Sequence, residues 1–282
     1  MMAAGTGGHV FPALAVAEQL RARGIAVHWL ATPAGMEHRL VGPSGIPLYP
    51  IDIQGIRGNG VLRLLKAPFK ILAATLAAMR IMRSLKIDAV AGFGGYVTGP
   101  GGLAARVLGI PVIIHEQNAI AGMTNTQLAR IATTVLQAFP NTFASTEKVK
   151  TTGNPVRAAI CAVAPPAARY QGRTGAIRVL VIGGSLGAQA LNERIPQALA
   201  LLGTPIHVRH QCGQKQVDET RARYQALNAP QVTAEVLAFV DDMAAAYADA
   251  DFIICRAGAL TVTEVATAGL PAVFVPLPSA VD

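Results

Sequence analysis

The sequence is poor in the residues on which several protein classes depend. Aromatic residues make up only 5% of its 282 positions, with a single tryptophan. Single-strand nucleic-acid binders stack bases on aromatic faces, so no nucleic-acid partner is expected. Three cysteines, Cys161, Cys212 and Cys255, stand far apart without metal-ligand spacing. An odd count makes a poor disulfide framework, so all three are expected to be reduced and structural. Charged residues amount to 14% against 52% hydrophobic, well below the roughly 25% charge of an average soluble domain, which excludes a disordered or fibrous chain. Long apolar runs are missing as well, despite a mean hydropathy of +0.41. The charge-free stretches 89–105 and 265–281 hold six glycines and three prolines respectively. Neither is the near-continuous apolar run of about 20 residues that a spanning helix requires. Met1-Met2-Ala3-Ala4 leads straight into a glycine loop with no basic segment and apolar run. No secretory signal is visible, and a cytosolic chain is expected.

What charge there is lies unevenly. The net charge is +8, and seven cations (Arg57, Arg63, Lys66, Lys70, Arg80, Arg83 and Lys86) fall between Asp52 and Asp88 with no acid among them. Leu62, Leu65, Phe69, Leu72, Leu76 and Met79 recur among them at helical spacing, with Pro68 placed to begin the second of two helices. Arg63, Lys66, Phe69, Lys70, Leu72, Leu76 and Arg80 thus form a basic amphipathic surface. An ordinary solvated helix face is one reading of it. Attraction to an anionic membrane, worth on the order of 1 kcal/mol per well-placed cation, fits better because apolar side chains accompany the charge.

At roughly 150 residues per domain the length suggests two domains, and the pattern repeats accordingly. Residues 1–157 alternate short apolar runs (26–30, 89–93, 111–115, 134–137) with helical stretches, which predicts βα units on a parallel sheet. A Pro- and Gly-marked connector is expected over 158–176. A second series over 177–282 starts with Val179 to Ile182 and continues through 207–210, 234–239, 252–255 and 272–275. The first half carries 15 basic and 6 acidic residues, the remainder 9 and 10, so the two halves look adapted to different partners.

Each half opens with a strand, a glycine turn and a helix. The turns are Gly5-Thr6-Gly7-Gly8-His9 and Gly183-Gly184-Ser185-Leu186-Gly187, and Gly92 to Gly102 forms a third loop of the same character. Glycines admit a ligand close to the backbone, and the following helix presents unpaired N–H groups that suit phosphate. A tight turn wants glycine too, so any one loop is weak evidence; three across two halves are harder to dismiss. The dinucleotide pattern Gly-x-Gly-x-x-Gly fails at Val10, and the strand ending at Thr32 lacks the ribose-binding acid. No Gly-Lys-Ser/Thr phosphate loop is present. Redox chemistry and nucleotide hydrolysis are disfavoured. The expected fold is α/β: two Rossmann-like doubly wound parallel-sheet domains facing across a cleft, the second incomplete, with a nucleotide-linked substrate held between them.

Six motifs in order give this layout a specific resemblance. Gly5 to Ala15, Gly94-Gly95-Tyr96 with Gly99 to Gly102, His115-Glu116-Gln117-Asn118, Gly153 to Arg157, Gly183-Gly184-Ser185 and Arg256 to Glu264 together resemble the MurG family, membrane-associated N-acetylglucosaminyltransferases of bacterial peptidoglycan synthesis with a GT-B fold. The resemblance implies transfer of N-acetylglucosamine from UDP-N-acetylglucosamine, with inversion, to the C4 hydroxyl of undecaprenyl-pyrophosphoryl-N-acetylmuramoyl-pentapeptide. It implies a peripheral place on the cytoplasmic face of the plasma membrane and no cofactor beyond the donor. By similarity, Thr6, Gly7, Gly8, Asn118, Arg157, Ser185, Val240, Ala259, Leu260, Thr261, Val262, Thr263 and Glu264 match donor-contacting positions. Glu264 would take the ribose hydroxyls, Val240 the uracil, and Ser185 with the helix near Leu260 the diphosphate. By the same similarity, Gly94, Gly95 and Tyr96 would meet the acceptor.

The reaction needs a base for the acceptor hydroxyl and neutralisation of the departing phosphate. His9, at the mouth of a helix, is the candidate base, though a capping or phosphate-contacting histidine would sit there too. Glu116 is an alternative base or an orienter. Asp249-Ala250-Asp251 looks like a metal-binding Asp-x-Asp, but a helix-to-strand junction accounts for it and no metal is expected. Family chains extend beyond both ends, so little turnover is expected from these residues alone. A different lipid glycosyltransferase, or a module that binds UDP-sugar or membrane without transfer, remains open on the residues.

Overall fold

The computed structural model describes residues 1–53, 67–184 and 187–277, together with the backbone of the helical residues 60–66. The chain divides into two compact units, Met1–Arg157 and Ala158–Val281.

In the first unit α1 (Gly7–Ala22), β1 (Trp29–Ala31), α2 (Met36–Val41), β2 (Leu48–Pro50), α3 (Gly60–Ser84), β3 (Val90–Gly92), α4 (Thr98–Val107), β4 (Val112–Glu116), α5 (Met123–Leu128), β5 (Thr134–Gln137) and β6 (Val149–Thr151) follow one another. β1 pairs with β2, and β3-β4-β5-β6 form a run, all parallel. Met2 bridges the two groups, parallel to Leu30 on one side and Gly92 on the other. The opening residues therefore act as the central strand, and the chain winds outward in both directions from it, as in a doubly wound sheet. Side chains from both faces close the core. Trp29 packs with Val10, Ala13, Leu14 and Ala17 of α1, and Ala74, Ala78 and Met82 of α3 pack beside Val90, Ile114 and Val135. Burial at 74, 78 and 82 follows the i, i+4, i+8 stripe of one helix face.

Two sequence expectations differ from what is found. α3 is one 25-residue helix with Pro68 inside it, not two helices meeting there. Proline deletes one helical hydrogen bond and can kink the axis without ending the helix. β2 and β6 were not anticipated, since three residues are too few to show an alternation.

The second unit contains α6 (Ala158–Cys161), α7 (Pro166–Arg169), β7 (Ile177–Ile182), α8 (Gln189–Ala200), β8 (Ile206–Gln211), α9 (Val217–Gln225), β9 (Val232–Leu237), α10 (Met243–Asp249), β10 (Phe252–Arg256), α11 (Ala259–Ala268) and β11 (Ala272–Val275). Its sheet runs β11-β10-β7-β8-β9, entirely parallel. The order reverses beside β7, so the turns after β7 and β10 adjoin at the carboxyl edge, the position where open α/β sheets take ligands. Residues 158–176, read from sequence as a connector, carry two short helices and attach to this unit. Arg169 donates to Ala268 O at 2.7 Å, and Arg173 pairs with Asp251 at 2.5 Å.

Candidate functional site

The carboxyl edge of the first unit's sheet is shaped by glycines placed where side chains cannot fit. Gly94 (φ +102°) faces the His9 ring, which would lie 2.9 Å from any Cβ built there, and Gly95 (φ +82°) passes so close to Ala4 O that a Cβ would stand 2.0 Å from it. The first and third glycine loops are thus pressed together, and the half-exposed Tyr96 sits over Gly5. Thr6 caps α1 in an extended conformation, and its carbonyl accepts from His9 N and Val10 N. The N–H groups of Gly7 and Gly8 lie in the first helical turn, the arrangement that favours an anion.

Among the described residues the His9 ring is hydrogen-bonded from one side only. Its Nδ1 lies 3.0 Å from Gln117 Oε1. Gln117 Nε2 lies 3.0 Å from both His115 Nδ1 and His115 O, and His115 Nε2 lies 3.0 Å from Gly153 O. His115 stacks on Phe93 with centroids 5.3 Å apart. Burial pushes its pKa below the usual histidine value, against smaller opposing effects of the Gly153 hydrogen bond and the Glu116 charge. Asn154 Nδ2 donates to Gln117 O at 3.1 Å, so the Gly153-Asn154 pair anchors two links of the chain.

Glu116 points the other way. It is 1% exposed and accepts from Asn118 N at 3.1 Å, Gly122 N at 3.1 Å and Asn125 Nδ2 at 2.9 Å. Of the two roles expected for it, this geometry fits an orienter of the loop after β4; a base needs a free lone pair facing substrate. Asn118 is half-buried, and its carboxamide has no partner among the described residues. The Arg157 guanidinium lies over the Phe11 ring, 4.5 Å from its centroid.

In the second unit, Gly258 is the N-cap of α11, and its carbonyl accepts from Val262 N at 2.9 Å. The N–H groups of Ala259, Leu260 and Thr261 therefore have no intrahelical acceptor. Val262 and Thr263 continue this half-buried turn, and Glu264 is 5% exposed, with Oε2 accepting from Tyr247 Oη at 3.1 Å. It is not a solvated helix-surface carboxylate. Val240 is buried in the loop after β9. The turn after β7 needs its glycines: a Cβ on Gly183 would meet Ala188 N at 2.6 Å, and one on Gly187 would meet Cys212 O at 2.1 Å. Ser185 lies outside the described residues. The Asp249-Ala250-Asp251 carboxylates are committed to ion pairs with Arg178 and Arg173, both at 2.5 Å.

Away from these edges, α3 exposes Phe69 (75%), Leu72 (58%) and Leu76 (43%), with Lys70 and Arg80 also exposed. The side chains of Arg63 and Lys66 lie outside the described residues. Among the described residues no helix is long and apolar enough to cross a membrane.

The partners of His9 were not singled out from sequence, although a signal existed. Side chains alternate along a strand, so at the end of β4 His115 and Gln117 share one face while Glu116 takes the other.

The glycosyltransferase family 28 N-terminal domain matches residues 1–137, and the family's C-terminal domain matches residues 178–282. A UDP-N-acetylglucosamine–N-acetylmuramyl-(pentapeptide) pyrophosphoryl-undecaprenol N-acetylglucosamine transferase of Acinetobacter baylyi is 67% identical, covering 100% of this chain and 78% of the relative. The protein of that name from Psychrobacter cryohalolentis is 58% identical, covering 100% and 79%. A crystal structure of Acinetobacter baumannii MurG superposes with a TM-score of 0.80 at 62% identity, covering 100% of this chain and 79% of that one. A Streptomyces glycosyltransferase, SsfS6, crystallised with thymidine diphosphate, shares the fold at 18% identity and a TM-score of 0.62. Sequence identity over the whole chain and both domain matches agree: the chain belongs to the MurG family, within glycosyltransferase family 28.

Proposed function

We propose that the protein transfers N-acetylglucosamine from UDP-N-acetylglucosamine to the muramoyl C4 hydroxyl of the undecaprenyl-pyrophosphoryl-linked pentapeptide acceptor, with inversion at the sugar C1. The carrying observation is His9, fixed at the mouth of α1 through Nδ1, beside a loop whose Gly94 leaves room for its ring. In the reaction His9 Nε2 takes the proton of the C4 hydroxyl as that oxygen attacks C1 of the donor sugar. The bond from C1 to the β-phosphate oxygen breaks, and UDP leaves with the electron pair. The first-turn N–H groups of α11 meet the charge that develops on the diphosphate, a role that fixed dipoles fill without reorganisation.

On the second unit Glu264 receives the ribose hydroxyls, Val240 offers backbone groups to uracil, and Ser185 and residues 259–263 hold the diphosphate. On the first, Thr6, Gly7, Gly8, Asn118 and Arg157 serve the donor, and Gly94, Gly95 and Tyr96 the acceptor. Glu116 orients the loop carrying Asn118. The exposed apolar and basic face of α3 rests on the anionic cytoplasmic leaflet, where the lipid-linked acceptor resides.

The test is transfer of radiolabelled N-acetylglucosamine from its UDP donor to the lipid-linked muramoyl peptide, with diacylglycerol as the competing acceptor. Label on the muramoyl lipid supports the reading. Because little turnover is expected, any label on the muramoyl lipid above a protein-free blank counts; label on diacylglycerol alone, or calorimetric UDP binding with no label above that blank on either lipid, overturns it.

A further inference from the structure

We propose that Gln117 and His115 are positioning residues that fix His9 as its Nδ1–H tautomer, leaving the Nε2 lone pair for the acceptor hydroxyl. The proposal rests on His9 being the base. It follows from accounting for every donor and acceptor in the chain of contacts.

Two backbone carbonyls, which can only accept, terminate that chain. His115 Nε2 faces Gly153 O at 3.0 Å, so the hydrogen of His115 is on Nε2 and its Nδ1 is a lone pair. Gln117 presents one carboxamide atom to both that lone pair and His115 O, each at 3.0 Å. Two acceptors require an NH2 group there, with one hydrogen for each. The opposite carboxamide atom, 3.0 Å from His9 Nδ1, is therefore the oxygen, and Nδ1 must be the donor. Neutral imidazole carries a single ring hydrogen, so Nε2 is unprotonated.

The surroundings hold each link. Gln117 is 2% exposed and His115 3% exposed, so water does not compete for these bonds. Asn154 Nδ2 grips Gln117 O at 3.1 Å, and Phe93 stacks on the His115 ring. A proton on His115 Nδ1 would point at the carboxamide NH2, and burial disfavours a second proton on that ring. Gly153 has φ +75°, a backbone setting that glycine adopts without strain and that directs its carbonyl at His115. The resemblance attached no role to Gly153 or Asn154; here they are the far end of the device. When His9 takes the substrate proton, Nδ1–H keeps its acceptor, so the imidazolium forms without rearrangement.

Histidine-selective 15N labelling with long-range 1H–15N correlation reads the tautomers directly, with His9 assigned by its disappearance in His9→Gln. The expected wild-type spectrum has hydrogen on Nδ1 of His9 and on Nε2 of His115. Gln117→Met, which keeps side-chain volume but not the carboxamide, is expected to move His9 toward the Nε2–H form and to lower kcat at least tenfold, within the roughly 10²–10⁴-fold of a general base, with both KM values unchanged within twofold. His115→Phe preserves the stack on Phe93 and the main-chain carbonyl that orients Gln117, so its kcat is expected to fall less than that of Gln117→Met. A wild-type His9 in the Nε2–H form, or wild-type kcat in Gln117→Met, overturns the proposal. Full turnover by His9→Gln overturns the base reading instead, and the kinetic half of the proposal with it, whatever the spectra show.

Discussion

At the residue scale, Glu116 and Gly94 separate chemistry from support. The Glu116 carboxylate satisfies three donors in the loop after β4, and removing an acceptor strands buried donors at about 1–3 kcal/mol each. Glu116→Ala is expected to cost about 3 kcal/mol, read as a lower urea midpoint, with turnover falling as the loop loosens. Lost turnover at unchanged stability in Glu116→Gln would return the residue to the role of base. Gly94→Ala places a methyl against the His9 ring at positive φ, and a strained backbone of this kind costs about 1–3 kcal/mol. Its kcat should drop more than tenfold as the imidazole is displaced, and a kinetically silent substitution would show that the ring has another place to go. Gly94 and His9 were both singled out in the sequence as candidates. Their contact was not, because it joins loops some 85 positions apart in the chain.

At the element scale, α3 combines a buried stripe of small residues with an exposed face of Phe69, Leu72 and Leu76. Large apolar side chains gathered on a solvent face mark a surface that meets something. Replacing all three with serine should leave the urea midpoint nearly unchanged, since exposed substitutions typically stay within about 0.5 kcal/mol each. Binding to vesicles containing anionic lipid should fall severalfold, and the residual binding should weaken with salt. Equal binding by parent and variant in sedimentation assays would contradict the assignment. The amphipathic pattern was readable in advance; that Pro68 lies within one helix was not, since a proline marks a helix start and a helix kink alike.

For the whole molecule, the pH profile of stability belongs to buried imidazoles. His210 is fully buried, its ring nitrogens 3.0 Å from Tyr224 Oη and Asn192 Oδ1, and burial lowers its pKa to about 4. In the unfolded chain the value is near 6.5, so the unfolded state binds the extra proton between these limits. Its contribution is complete above about pH 6.5 and is lost as pH falls toward 4, amounting to about 2 kcal/mol by pH 5. His115, lowered by burial as well, adds in the same direction. Urea titrations at pH 7.5 and 5 should show this decline, and His210→Gln should flatten it; a stability independent of pH over that range would refute the account. UDP at about 100 times its Kd should raise stability by about 2.7 kcal/mol through mass action, and calorimetry that finds no shift would remove the nucleotide from the picture.

The sequence by itself determined the two-unit α/β architecture, because βα periodicity and glycine turns are local patterns set by strand alternation, helix spacing and the lack of a Cβ. It also marked which loops are candidates for the site, since their motifs are contiguous in the chain. Only the tertiary structure decided that Glu116 is turned inward, that residues 158–176 fold onto the second unit, and that His9 meets Gln117 across 108 positions. Those outcomes depend on which atoms from distant segments compete for the same buried donors and acceptors, and spacing along a chain carries no record of that competition.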